Sequence, residues 1–285
     1  MENTTFKSDD PIAWCPGCGD FGILAAVQNA LAQLDKNPKD VLLVSGIGQA
    51  AKLPHYVNAN CFNGLHGRAL PAAVGARIAN RDLTVIVTTG DGDCYGEGGN
   101  HFIHTIRRNP DITVIVHDNQ VYGLTKGQAS PTTEAGYVTK VQTRGVATEP
   151  VKPLLLALSL GCGFVARGYS DDIEQLASLI VEGVRHKGFA LIDVLQPCVS
   201  FNKLNTRKWY KERIYKLNSE TGYDCYNIAA AFQKAGEWGE HIPLGIIYRN
   251  EKPSFEENIG LDSLKPLIDY EPEETDFEEL MKEFT

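Results

Sequence analysis

The chain has 285 residues, 43% of them hydrophobic, and a formal net charge of −9. That is enough apolar material for a full core in one large domain, or in one domain with an appendage, and the acidic balance argues against nucleic acid, whose binding needs clustered Lys and Arg. No apolar run approaches the length of a membrane span and the start, MENTTFKSDDP, is polar with no secretory segment, so a cytoplasmic setting away from membranes is expected.

The first informative segment is Trp14-Cys15-Pro16-Gly17-Cys18-Gly19. Two thiols in a glycine-rich turn hold one edge of a zinc or iron–sulfur site, because backbone amides can point at the sulfurs. A redox dithiol is the rival reading, but no strand precedes CPGCG as one does in a thioredoxin-type motif. The seven cysteines are an odd number in a chain without an export signal, so a disulfide framework is not expected. VLLVSGIG, from Val41 to Gly48, reads as a buried strand ending in a glycine turn. Leu65 to Asn80 reads as a helix whose small residues suit close packing.

Two β-branched runs follow, LTVIVTT from Leu83 and ITVIVH from Ile112, and both read as buried strands. They end in Gly90-Asp91-Gly92-Asp93 and His117-Asp118-Asn119-Gln120. A carboxylate such as Asp91 and an amide oxygen such as Asn119, delivered from neighbouring strand ends, are hard ligands for Mg²⁺; the ion's other octahedral positions go to a carbonyl, water and phosphate oxygens. Glycines beside Asp91 let the backbone come close to a diphosphate. The interval of about thirty residues fits one strand, helix, strand unit, with His101 to Arg108 as the helix. The pair of motifs resembles the thiamine diphosphate fingerprint.

Gly127 to Pro153 is polar and reads as a long functional loop. LLLALSLG is then a short helix and FVARGY a strand. Asp171 is expected to cap a helix carrying Ile173, Leu176, Ala177, Ile180, Val181 and Val184 on one face. Ala190 to Cys198 reads as a last strand, with Cys198 on its rim; a lone cysteine there is more often core. Alternating strands and helices predict an α/β fold of three layers around a parallel sheet, with ligands at the carboxyl ends of the strands. Residues 1–203 form this α/β domain. Residues 204–285 are expected to be a C-terminal extension that contacts another subunit, and the basic stretch Lys203 to Lys216, mixed with Trp209, Tyr210 and Tyr215, reads as part of it.

CPGCGDFGIL, SGIG, LHGRALP, GDGD, EGGNHF, HDNQVYGLTKGQASPT and QPC in this order resemble the β subunits of 2-oxoacid:ferredoxin oxidoreductases, over about Ala13 to Lys203. The resemblance implies a thiamine-diphosphate-binding fold with Mg²⁺ and a [4Fe–4S] cluster. It implies oxidation of a 2-oxoacid with coenzyme A to acyl-CoA and CO₂, with ferredoxin reduced, and the same reaction in reverse. It further implies a partner α, or fused α/γ, subunit that supplies the glutamate for the aminopyrimidine, and a dimer of heterodimers. On matching positions, Asp91, Asn119 and the carbonyl of Val121 hold Mg²⁺, while Gly48, Arg68, Gly90, Gly92, Asp93, Gly123, Leu124 and Thr125 border the cofactor. Cys15, Cys18 and Cys198 match three cluster ligands.

The family's remaining cluster cysteine follows SGIG directly, and Gln49 stands there instead. A four-thiolate cluster then needs another cysteine: Cys61, a short loop beyond, is the first candidate and Cys94 the second, with a buried small hydrophobe the plain reading of Cys61. Cys162 and Cys225 are expected to be structural. Lys52 and Lys126 sit on loops expected to flank the cofactor and could meet a substrate carboxylate, a pair that suits a dicarboxylate such as 2-oxoglutarate. His66 is read either as a cofactor contact or as a hydrogen-bonded core histidine. Two other function classes compete. A non-redox thiamine diphosphate decarboxylase or synthase needs the same clamp without rim thiols, and a regulatory or scaffolding chain would keep the fold without catalysis.

Overall fold

The computed structural model describes residues 3–217, 222–271, 277–282 and 284. In chain order its elements are α1 (Asp20–Gln33), β1 (Val41–Ser45), β2 (Asn60–Asn63), α2 (Ala69–Ala79), β3 (Thr84–Gly90), α3 (Gly99–Arg108), β4 (Thr113–Asp118), β5 (Val121–Tyr122) and β6 (Gln128–Ala129). After them come α4 (Pro153–Ser159), β7 (Phe164–Tyr169), α5 (Ile173–Arg185), β8 (Ala190–Leu195), α6 (Arg207–Lys211), β9 (Ile214–Lys216), α7 (Ile228–Gly236), β10 (Ile242–Arg249) and α8 (Phe255–Asn258). Among the described residues no helix is long and apolar enough to cross a membrane.

Eight strands form one sheet in the order β2-β1-β3-β4-β8-β7-β10-β9. From β2 to β7 every pairing is parallel. β10 runs antiparallel to β7, and β9 lies parallel to β10. Each central strand is buried on both faces, which is why these strands read as unbroken apolar runs. One face packs Leu43, Ile86, Ile115 and Ile192 under α1 and α5, through Ile23, Val27, Leu31, Leu176 and Ile180. The other packs Val44, Val87, Val114, Val116 and Leu191 under α2, α3, α4 and α7, through Leu70, Phe102, Ile106, Leu154 and Ala231. The expected three-layer α/β architecture is the one observed.

Several local expectations change. The second helix starts at Ala69, because residues 65–68 form a turn with Gly67 at φ +70°. The cap of α5 is Asp172, whose carboxylate accepts from the amide of Gln175 at 3.3 Å, whereas Asp171 pairs with Arg207 at 2.8 Å. α1 and β2 carried no expectation. α1 crosses so close to the end of β7 that a Cβ at Gly22 would lie 1.9 Å from the carbonyl oxygen of Ser170.

The segment after Phe201 is woven into the sheet rather than lying only over another surface. Ile242, Leu244 and Ile247 of β10 are fully buried, and the basic stretch is tied down by Arg207–Asp171, Lys216–Asp172 and Arg213–Glu212 ion pairs. A chain ended after Lys203 would leave β7 as an unprotected apolar edge. Such a truncation is expected to be insoluble or to lose its cooperative thermal transition; circular dichroism melting checks this, and an intact transition would make the extension dispensable for folding.

Candidate functional site

Parallel strands bring their carboxyl ends to one end of the sheet, and the turns that leave β1, β3, β4 and β8 carry Gly46-Ile47-Gly48-Gln49, Asp91, Asn119 and Gln196-Pro197-Cys198. Gln49, Asn119, Gly123, Gln196 and Cys198 line one cleft together with Cys15 and Cys18 from the turn before α1. Three thiols therefore open on the cleft that holds the Asn119 side of the clamp.

Asp91 is buried at the head of a single π-helical turn, Gly92–Glu97. Its Oδ2 accepts hydrogen bonds from Ser130 Oγ at 2.5 Å and Thr132 Oγ1 at 2.6 Å. Thr132 Oγ1 also lies 2.8 Å from Asp118 Oδ1. A hydroxyl has a single proton to donate, so one of these two carboxyls is itself the donor. Burial pushes both above the ordinary carboxylate range, Asp118 further because Asp193 and Asp91 are close. Behind them Asp193 accepts from Tyr95 Oη at 2.7 Å, and burial holds it up at about 6 against the pull of the Arg167 guanidinium.

Asp93, expected along the diphosphate, instead faces inward. Its Oδ1 accepts from the amides of Ile47 (3.1 Å) and Gly67 (2.8 Å) and lies 2.5 Å from His66 Nδ1, while Oδ2 accepts from Thr89 Oγ1 at 2.7 Å. With both oxygens engaged, the Asp93 side chain is a fastening of the loops. His66 is neither in the core nor loose: its Nε2 lies 3.5 Å from Glu97 Oε2, and its ring meets Tyr122 edge to face. Arg68 is exposed, with Nη1 3.1 Å from His101 Nε2.

The glycines divide into two kinds. A Cβ at Gly92 would lie 2.2 Å from the ring of Tyr122, and one at Gly96 2.5 Å from its hydroxyl. The missing side chain at Gly92 thus makes room for an aromatic ring. At Gly48, with φ +134°, nothing lies within 4 Å of the missing side chain, and at Gly90 only Ala50 Cβ does, at 3.9 Å. These two leave the open space that a bound diphosphate needs.

Asn119 Oδ1 accepts from the amide of Val121 at 3.1 Å, and Asn202 Nδ2 donates to the Asn119 carbonyl at 3.1 Å. Leu124, Thr125 and Lys126 are exposed on the turn between β5 and β6, where Lys126 adopts φ +82°. Lys52 turns toward the turn before the cysteines, its Nζ 3.4 Å from the Ala13 carbonyl.

The thiols carry donors of their own. Gln196 Nε2 donates to Cys18 Sγ at 3.2 Å, Ser200 Oγ to Cys15 Sγ at 3.2 Å, and the amide of Phe201 to Cys198 Sγ at 3.4 Å. Cys18 Sγ in turn donates to Asp20 Oδ2 at 3.2 Å, and Asp20 Oδ1 lies 2.6 Å from Nδ1 of the fully buried His117. Burial first, then Asp20, pushes the Cys18 thiol up. Among the described residues no three His, Cys, Asp or Glu groups converge on a point fit for a single ion. Three thiols ringing a cleft and backed by N–H and O–H donors suit a polynuclear group instead. Cys61 is not among them, since it is exposed on the edge strand β2, paired with Leu43. Cys94 is buried in the core under α2 and α3. The Asp20–His117 pair, the Ser130 and Thr132 hydroxyls and the fastening by Asp93 were missed from the sequence; only the second Asp of GDGD and the SPT run gave a signal.

Residues 41–194 match the family described as thiamine pyrophosphate enzyme, C-terminal TPP binding domain, and residues 198–261 match the family for the C terminus of the pyruvate ferredoxin oxidoreductase β chain. The chain is 45% identical over 291 residues to the 2-oxoacid:ferredoxin oxidoreductase subunit beta of Saccharolobus solfataricus, covering 95% of each. It is 43% identical over 197 residues to the 2-oxoglutarate oxidoreductase subunit KorB of Mycobacterium tuberculosis, covering 69% of this chain and 53% of that one. Among solved structures it is similar to the 2-oxoglutarate:ferredoxin oxidoreductase from Magnetococcus marinus with 2-oxoglutarate, coenzyme A and succinyl-CoA bound, with a TM-score of 0.91, 33% identity, and coverage of 100% of this chain and 96% of that one.

Two outcomes follow from this geometry. Gly92→Ala is expected to lower stability by about 1–3 kcal/mol through the clash with Tyr122, and Tyr122→Ala in the same chain should recover part of the loss. Denaturant titration of the double-mutant cycle reads the coupling, and simple additivity would exclude the clash. Asp193 has a folded pKa of about 6 against an ordinary 3.8. The folded state therefore holds more protons than the unfolded one in that window, and stability falls as pH rises through it. Thermal melts should show Asp193→Asn gaining on the wild type from about pH 4 to about pH 6, by at most about 1.4 kcal/mol per pH unit.

Proposed function

The chain belongs to the family of 2-oxoacid:ferredoxin oxidoreductase β subunits, and on that premise we propose that it binds thiamine diphosphate with Mg²⁺ and a [4Fe–4S] cluster side by side at the carboxyl ends of its strands. With its partner subunit it oxidises a 2-oxoacid, 2-oxoglutarate before others, with coenzyme A to acyl-CoA and CO₂, passes the electrons to ferredoxin, and can run in reverse. The observation that carries this reading is the shared wall: Cys15, Cys18 and Cys198 open on the cleft that Asn119 and Gly123 line. A non-redox thiamine decarboxylase has no use for those thiols, and a scaffolding chain has no use for a buried, hydroxyl-braced Asp91.

In this reading Asp91, Asn119 and the Val121 carbonyl hold Mg²⁺. The braced position of Asp91 fits that role, because both hydroxyls fall on Oδ2. Gly48 and Gly90 give the diphosphate room, with Gly123, Leu124 and Thr125 beside it. The cofactor supplies the carbon–carbon bond chemistry once bound. This chain's own part is to seat it, to exclude water, and to place the cluster within electron-transfer reach. Lys52 and Lys126 are the cations for the substrate's carboxylates, two of which 2-oxoglutarate carries. The proposal extends to a cytoplasmic dimer of heterodimers with an α, or fused α/γ, subunit.

The test uses the complex of both subunits, purified without oxygen. Iron and sulfide analysis with a visible spectrum should show one cluster per β chain, and calorimetric titration with thiamine diphosphate and Mg²⁺ should show binding that Asp91→Ala abolishes. Affinity unchanged in Asp91→Ala would refute the clamp; absence of iron and sulfide would refute the redox reading.

A further inference from the structure

A [4Fe–4S] cluster has four corners, and this cleft offers three thiols. Gln49 lines the same cleft. Its main chain is pinned, since the Trp14 indole Nε1 donates to the Gln49 carbonyl at 2.9 Å. Its Cγ lies against Gly123, 3.9 Å from where a Cβ would stand. Its Oε1 is buried and has no hydrogen-bond partner. A buried acceptor left unpaired costs about 1–3 kcal/mol. Gln196 Oε1 of the same cleft wall is in that state too, but the Gln196 amide is already committed to Cys18 Sγ through Nε2, which leaves Gln49 as the amide whose oxygen points to a ligand. The remaining cysteines are elsewhere: Cys61 lies on the exposed edge strand, Cys94 and Cys162 are in the core, and Cys225, by the Arg249 end of β10, is not part of the cleft wall.

We propose that Gln49 takes the fourth corner, so that three irons are held by Cys15, Cys18 and Cys198 and the fourth faces the Gln49 amide oxygen. This rests on the cluster reading above and specifies it. A neutral, hard oxygen binds iron less firmly in a sulfide cluster than a soft thiolate does, which makes this one iron labile. Replacing a thiolate by an amide also makes the cluster one unit less negative, and net charge is among the terms that set its potential. The cluster is therefore more readily reduced than a four-thiolate one in the same surroundings.

The lability can be read directly. Ferricyanide removes one electron from the oxidised [4Fe–4S]²⁺ cluster to give [4Fe–4S]³⁺, which releases Fe²⁺ and leaves [3Fe–4S]⁺; the electron goes to ferricyanide, and all four sulfides stay. In the anaerobically purified complex, wild type is expected to lose a quarter of its cluster iron on titration and to develop the three-iron resonance spectrum. Gln49→Ala should behave the same way. Gln49→Cys should keep all its iron and show a more negative midpoint potential. A wild-type cluster that keeps all four irons overturns the proposal, whether or not Cys61→Ser or Cys94→Ser then identifies another ligand. Because the wild type alone decides this, a Gln49→Cys chain that fails to fold does not remove the test. A complex with no iron or sulfide at all fails differently, by refuting the cluster reading itself.

Discussion

The carboxylate of Asp93 fastens the site together. It collects donors from the turn after β1, from the turn before α2 and from the end of β3 itself, so three segments that share no sequence proximity are registered against one another by a single buried group. Buried in the protein, such a polar group is costly unless its hydrogen bonds are satisfied. The same closeness explains two glycines: a Cβ at Gly46 would lie 2.1 Å from Asp93 Oδ2, and one at Gly67 2.4 Å from the carbonyl carbon of Glu97. Gly48, Gln49 and His66 are thus positioned before any ligand arrives.

A second set of acids stands behind the first. Asp91, Asp118 and Asp193 are all buried, whereas Arg167 is the buried cation that acts on Asp118 and Asp193. Lost hydration raises the affinity of all three for protons, and neighbouring carboxylates add to this at Asp118 and Asp193, the reverse of what a metal ligand needs in its working form. The divalent cation proposed beside Asp91 would supply positive charge there. The Ser130 and Thr132 hydroxyls meanwhile keep the carboxylate from rotating.

Much of this was legible in the chain, and the exceptions have physical causes. Strands buried on both faces announce themselves as β-branched runs, so β1, β3, β4, β7 and β8 stood out, and the residues that end them carry the chemistry. β2 did not, because Asn60–Asn63 is a short exposed edge with asparagine at both ends. β10 contains Pro243 and Gly245 and a register shift between Ile246 and Tyr248, which blur its pattern. α1 carries a glycine, Gly22, in its first turn, pressed against Ser170, and a helix-weakening residue at that point masks the spacing of Ile23, Val27 and Leu31. Cys61 looked close to the cofactor because it precedes LHGR in sequence; pairing with β1 carries it instead to the outside of the sheet. Gly92 reads as a place of close approach, and the Tyr122 ring is a group the sequence did not announce there.

Strand direction separates the molecule into two poles. Because β10 runs against β7 and the parallel strands beyond it, the chain that leaves it emerges at the amino ends of β3 and β4, where Phe255 donates its amide to the Asn109 carbonyl and Glu256 meets Arg77 and the Asp111 amide. A fluorophore or an affinity handle attached on the exposed segment around Ser263 would report from that far pole without crowding the cleft. Sequence drift there is free to adjust how firmly the domain holds together, while selection on turnover acts at the opposite end of the same strands.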